Sequence, residues 1–158
     1  MTTSWAVVTG ASAGLGAAYC RHLASTGSNV VLVARSADAM TALASELERD
    51  HGVATMVLPT DLTDSGARAA LINRLDELEV HTLVNNAGFA TLGDFAGIER
   101  SRISAEVELN VVALTELAHA VVPQMVARGR GAIINVASTA AFQPIPEMAT
   151  YAATKAYV

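Results

Sequence analysis

Short apolar runs alternate along this chain with stretches in which apolar residues recur every three or four positions. Trp5–Thr9, Asn29–Ala34, Val53–Leu58, His81–Asn85 and Gly131–Ala137 have the length and β-branched content of strands buried on both faces. Between the first two, a glycine segment from Gly10 to Gly16 opens a helical stretch that stops at Gly27. Ser36 is placed to cap the next helix, where Met40, Leu43 and Leu47 repeat at helical spacing before Gly52. A third helix opens at Asp64 or Ser65 and carries Leu71, Leu75 and Leu78 on one face. The longest covers Ser101 to Arg128, with Ile103, Val107, Val111, Leu114, Ala118, Val121 and Met125 as a single stripe. Pro123 should bend it. A loop with Pro144 and Pro146 then leads into the start of a last helix. Strands alternating with helices predict an α/β fold, a doubly wound parallel sheet of about five strands. Residues 1–158 read as one domain, without repeats or linkers.

Composition narrows the partners. At 158 residues, 52% hydrophobic and 16% charged, the chain can bury a sizeable core. A net charge of -5 with scattered Lys and Arg argues against nucleic acid. No apolar run approaches the roughly 18 residues of a membrane span, so none is expected. The first strand is read from Trp5, so no leader is expected ahead of it. Cys20 is the only cysteine and reads as a small buried residue; a reducing cytoplasm is the expected location. His22, His51, His81 and His119 lack ligand spacing, so no metal site is expected.

The glycine segment Thr9-Gly10-Ala11-Ser12-Ala13-Gly14-Leu15-Gly16 lies where a strand gives way to a helix. Glycines there let the backbone turn tightly and approach a pyrophosphate, whose charge rests on the helix N-terminus. A plain tight turn with close helix–strand contact is the alternative. The end of the second strand separates cofactors. An NAD site wants an acid there for the ribose 2′-hydroxyl, whereas this strand ends Val33-Ala34-Arg35-Ser36. Arg35 could pair with a 2′-phosphate and Ser36 add a hydrogen bond, which favours NADP over NAD. A solvated arginine beside a helix cap is the other reading. Asp38 fits a first-turn acid favoured by the helix dipole.

Six pieces in order then resemble the short-chain dehydrogenase/reductase family, in its shorter single-domain, ketoreductase-like branch. They are Thr9 to Gly16, Asp61-Leu62, Asn85-Asn86-Ala87-Gly88, Asn110, Ser138 and Tyr151-x-x-x-Lys155. The resemblance implies a Rossmann-type sheet with strand order 3-2-1-4-5. It implies a cofactor site of Gly10, Ser12, Ala13, Gly14, Leu15, Gly16, Arg35, Ser36, Asp61, Leu62, Asn86, Ala87, Gly88, Tyr151 and Lys155. Asp61 would meet the adenine amino group, Leu62 its ring, and Asn86, Ala87 and Gly88 the adenosine ribose, with Asn86 also tying strands together. It further implies that Tyr151 is the general acid/base and that Lys155 lowers the tyrosine's pKa while bonding the nicotinamide ribose. Ser138 would polarise the substrate oxygen, and Asn110 would hold a water relaying protons to the lysine.

Physical chemistry supports that division of labour. A tyrosine with a reference pKa of about 10 must fall by roughly 3 units, about 4 kcal/mol, to work near neutrality. Lysine at i+4 shares its helix face, and a unit charge about 4 Å away at an effective dielectric near 20 contributes on the order of 4 kcal/mol. The expected substrate is a small molecule, a ketone or aldehyde or the matching alcohol, and the expected assembly of the whole protein a homo-dimer or homo-tetramer. Family members continue beyond Lys155 with further strands and a substrate-covering lid, whereas this sequence reaches only Val158. Two classes are therefore carried forward: an NADP-dependent oxidoreductase represented by a C-terminally truncated sequence, and a non-catalytic dinucleotide-binding or interaction fragment. The expectation for these residues alone is weak nucleotide binding without efficient turnover.

Overall fold

In the computed structural model, which describes residues 4–158, five parallel strands form one sheet in the order β3-β2-β1-β4-β5. The strands are β1 (Ser4–Thr9), β2 (Asn29–Ala34), β3 (Thr55–Pro59), β4 (Glu79–Asn85) and β5 (Ala132–Asn135). Helices α1 (Gly14–Ser25), α2 (Ala37–His51) and α3 (Ser65–Asp76) connect them. One long helix, Arg100–Arg128, comprises α4 (Arg100–Val107), a π-helical segment Glu108–Ala113 and α5 (Leu114–Arg128); α6 (Ala149–Tyr157) closes the chain. The strand order is the expected one.

Period-two alternation explains the double winding. Val8, Val30, Leu32 and Ala34 face α1 and α2 and pack with Cys20, Met40, Leu43 and Leu47. Their neighbours Val7, Val31, Val33 and Leu83 face the other way, against Leu71, Leu75, Leu117, Val121 and Met125. Because both faces are covered, β2 is buried almost end to end. Each such Leu or Val contributes roughly 1.5–3 kcal/mol over its exposed state.

Local chemistry moves several boundaries. β3 starts at Thr55 rather than Val53, because the Ala54 N–H is taken by Asn29 Oδ1 at 2.9 Å instead of by the ladder. β4 begins two residues early, at Glu79, where Ser4 pairs with it. β5 is shorter than expected and half-open to solvent as the edge strand. Leu78 lies past the end of α3. Asp64 caps α3 by accepting from Ala67 N at 2.7 Å, whereas Ser36 occupies the N-cap of α2 without a side-chain capping bond.

The long helix departs most from expectation. It does not carry one continuous stripe. Helical geometry passes unbroken through Pro123, and the irregularity falls at Glu108–Ala113. A π-helical turn holds more residues than an α turn and shifts the phase of the buried face. The inner face is therefore Glu106, Asn110, Ala113, Leu117, Val121 and Met125, while Val107 turns outward. By length and composition alone Arg100–Arg128 is long and apolar enough to cross a membrane, which the sequence expectation had not allowed for. Here its inner face packs on the sheet.

Candidate active site

The glycine segment is locked to the end of β4. Thr9 Oγ1 donates to Val84 O at 3.3 Å and accepts from Asn86 N and Ala87 N, both at 3.0 Å. Asn86 Nδ2 donates to Thr9 O at 2.9 Å, so this asparagine ties β4 to β1. A Cβ at Gly10, where φ is +67°, would stand 2.7 Å from Asn86 Nδ2. One at Gly16 would collide with Gly10 O. Only glycine permits the loop to lie this close at both positions.

Beyond the carboxyl ends of β1, β2, β3 and β4 lies a cleft of about 310 Å³. It brings together Gly10, Ser12, Arg35, Ser36, Asp61, Leu62, Ala87 and Gly88 from the sequence-derived set. Ala34, whose lack of charge marked the strand end as an NADP site, also lines it, as do Thr60, Thr63, Phe89 and Leu109, which were not foreseen. Thr63 was findable: Asp61-x-Thr63 is an Asx-turn pattern, and Asp61 Oδ1 accepts from Thr63 N at 3.0 Å and Thr63 Oγ1 at 2.8 Å. Those two bonds hold the Asp61 carboxyl below its usual range, and the positive charge of Arg35 adds to the effect. Ala13, Gly14 and Leu15 are exposed at the start of α1, off the cleft walls, and Gly16 and Asn86 support the loop from behind.

At the Gly88 end stands the tyrosine helix. Lys155 is buried; its Nζ donates to Val136 O at 2.8 Å and lies 5.9 Å from the centre of the Tyr151 ring. Burial lowers the lysine's pKa below its ordinary 10.5. A Cβ on Gly88 would lie 3.0 Å from Asn110 Oδ1 and 3.5 Å from Lys155 Nζ, so a glycine here keeps open the space beside the lysine. Ser138, two residues past Val136, accepts from Ala140 N at 3.2 Å and opens a 3-10 turn, Thr139–Phe142.

The Asn110 side chain is bonded on every side to protein. Its Oδ1 accepts from Phe89 N at 3.2 Å, and its Nδ2 donates to Phe89 O at 2.9 Å and Thr154 Oγ1 at 3.0 Å. Both amide hydrogens are thus spent on protein, and the side chain braces the Phe89 loop against α6. On the far side, Arg68 is buried and donates to Glu116 at 2.8 Å and to Leu62 O at 2.9 Å, with Glu108 at 3.0 Å. Burial alone would weaken its charge, but the bond to Glu116 and the two carboxylates outweigh that and hold its pKa above the ordinary value. It steadies Leu62 on the cleft wall. Among the described residues no His, Cys, Asp or Glu cluster of metal-binding form occurs.

Chemically, the cleft offers the guanidinium of Arg35 and hydroxyls from Ser12, Ser36, Thr60 and Thr63 along its wall, and Lys155, with the Tyr151 ring near it, stands just behind Gly88. Residues 4–158 match the family described as short chain dehydrogenase. The chain is similar to a very-long-chain 3-oxoacyl-CoA reductase of Laccaria bicolor, 39% identical over 98% of this chain and 47% of that protein. A short-chain dehydrogenase from Sphingobium yanoikuyae, solved in complex with NADPH, superposes with TM-score 0.94 at 42% identity, over 98% of this chain and 61% of that one. A bulky-bulky ketone specific alcohol dehydrogenase from Comamonas testosteroni does so with TM-score 0.94 at 39% identity, over 98% and 62%. The chain thus spans about half the length of the curated relatives it matches.

Proposed function

The chain belongs to the short-chain dehydrogenase family, and from that premise we propose that the whole protein is an NADP(H)-dependent oxidoreductase interconverting a ketone or aldehyde with its alcohol. The observation that carries this reading is the buried Lys155 beside Tyr151, at the Gly88 end of a cleft whose other end holds Arg35. The residues fit the dinucleotide. The close Gly10–Asn86 approach leaves the loop backbone bare for a pyrophosphate, and Arg35 with the uncapping hydroxyl of Ser36 suits a 2′-phosphate. Asp61 and Leu62 are assigned to the adenine, and Ala87 and Gly88 to the adenosine ribose.

Bound NADPH would supply a hydride to the carbonyl carbon. Tyr151 is assigned as the acid that gives its phenolic proton to the carbonyl oxygen, and as the base in the reverse direction. Ser138 donates a hydrogen bond to that oxygen as negative charge develops. Lys155 is assigned to hold positive charge near the phenol and would bond the nicotinamide ribose of the bound cofactor. Asn110 keeps its proposed place in the proton path, with its side-chain amide committed to Phe89 and Thr154. Outward Val107, Val122 and Val126 on the long helix support association of two or four copies.

The test is fluorescence titration with NADPH and steady-state reduction of a panel of ketones and aldehydes by the whole protein. Binding with turnover that drops about 100-fold or more in Tyr151→Phe supports the reading. Binding without turnover on any carbonyl identifies a non-catalytic dinucleotide-binding protein instead.

A further inference from the structure

Glu106 is fully buried in the long helix, and neither carboxylate oxygen has a hydrogen-bond partner. A carboxylate in that state costs stability that a leucine of similar size would not. Such local conflicts occur where a residue serves the site rather than the fold.

The register of the neighbouring helix shows what Glu106 lies beside. Asn110 reaches Thr154 at 3.0 Å and Thr115 reaches Tyr157 at 2.8 Å, so the long helix and α6 run side by side in the same direction. Glu106 precedes Asn110 by one turn on the same buried face, which sets it level with Thr150 and the first turn of α6. That turn contains Tyr151. Its N-cap position is Met148, which offers no side-chain capping bond, so the first N–H groups have no protein side chain to accept from them where the helix dipole is positive. Thr91, two residues past the Phe89 that Asn110 grips, carries a buried hydroxyl that also lacks a partner. Thr91 lines one cavity with Ala149 and Thr150 of that first turn, and a water between these groups and the Glu106 carboxylate would pair what the protein leaves unpaired.

We propose that Glu106 is a positioning residue: through a buried water its carboxylate accepts from the first-turn N–H groups of α6 and fixes Tyr151 relative to Ser138 and Lys155. The catalytic part of this rests on Tyr151 being the acid/base; the capping part does not.

Glu106→Gln keeps an oxygen acceptor at the same reach, and Glu106→Leu keeps only volume. In the whole protein the Leu variant should lose about 10-fold or more in kcat, since a misplacement of about 1 Å can cost about 100-fold. Its KM for NADPH should change by less than about twofold. The Gln variant should stay near wild type, and the thermal midpoint of the Leu variant should not fall. Amide hydrogen exchange at Thr150, Tyr151 and Ala152 should accelerate in the Leu variant and not in the Gln variant, a readout that needs no catalysis. Unchanged exchange with unchanged kcat in Leu, or equal damage in Leu and Gln, overturns the proposal. So does failure of both Glu106→Leu and Glu106→Met to fold, which would make the residue part of the core. If the wild-type protein reduces no carbonyl while the exchange difference is present, the catalytic reading falls and the cap stands.

Discussion

Arg35 offers the sharpest test of cofactor choice. It is exposed at the end of β2, on the cleft wall, close enough to Asp61 for its charge to lower that carboxyl's pKa. Among the described residues its side chain makes no hydrogen bond or ion pair, so Arg35→Ala should perturb the ligand and leave the scaffold in place. A charge-assisted hydrogen bond contributes about 1.5–3 kcal/mol. Solvent screening at this exposed position argues for the lower part of that range, about 1.5–2 kcal/mol. At about 1.4 kcal/mol per factor of ten, NADPH should bind about 10–30-fold more weakly to the variant. NADH lacks the phosphate and should change by less than about twofold. Ala34→Asp is the complementary change: Ala34 lines the same cleft, and a carboxylate there offers an acceptor to a ribose hydroxyl while repelling a phosphate. Fluorescence titration of both nucleotides at two salt concentrations reads the ratio, and the NADPH preference should shrink as salt rises. Equal weakening of NADPH and NADH by Arg35→Ala, or no change in either, would refute the assignment of the phosphate to this corner.

Three further outcomes are expected. Lys155→Met should damage both nucleotide affinity and turnover. Because burial lowers the lysine's pKa below 10.5, the wild-type chain carries a charge-burial penalty at neutral pH that disappears as pH rises through the lowered value towards 10.5; denaturation at pH 7 and pH 10 should show wild type gaining on the Met variant. Arg68→Met leaves Glu108 and Glu116 partly in water, so it should cost about 1–3 kcal/mol, less than the loss of a fully enclosed pair, and should weaken nucleotide binding through Leu62. Cys20 is fully buried with its pKa pushed up to about 12; a thiol reagent at pH 8 should label it only as fast as the protein opens, and rapid labelling of the native chain would contradict that placement.

The sheet was legible because its information is local. β2 was read with its observed bounds since a run buried on both faces is uniformly apolar and ends in Arg35-Ser36. Where a non-local partner decides, the reading slipped: Asn29 takes the Ala54 N–H and delays β3, and Ser4 pairing extends β4 backwards. The long helix misled for a different reason. A 3.6-residue period was assumed throughout, and nothing in Glu108-Leu109-Asn110-Val111-Val112-Ala113 announces a π turn. Once that turn advances the phase, a glutamate and an asparagine point inward and a valine points out.

That phase shift also explains why the site was only partly readable. Motif spacing can place residues that touch a ligand through short loops, and Gly10, Ser12, Arg35, Asp61 and Gly88 do share one cleft. Spacing cannot reveal what holds the cleft in register with the tyrosine helix, because that depends on the face the long helix presents. With regular α geometry Asn110 would not sit where it meets Phe89 on both sides and Thr154 as well. The brace connects the Gly88 end of the cleft to α6 through one side chain, so its loss should be felt at both ends. Asn110→Leu fills the space and leaves Phe89 N–H, Phe89 O and Thr154 Oγ1 each short of a bond, at about 1–3 kcal/mol for each buried group left unpaired. The expected result is a loss of several kcal/mol at most, with exchange protection falling at Phe89 and in α6 while the adenine end around Asp61 keeps its protection. Uniform loss of protection across the chain would mean that Asn110 is an ordinary core residue and that the two halves of the site are joined some other way.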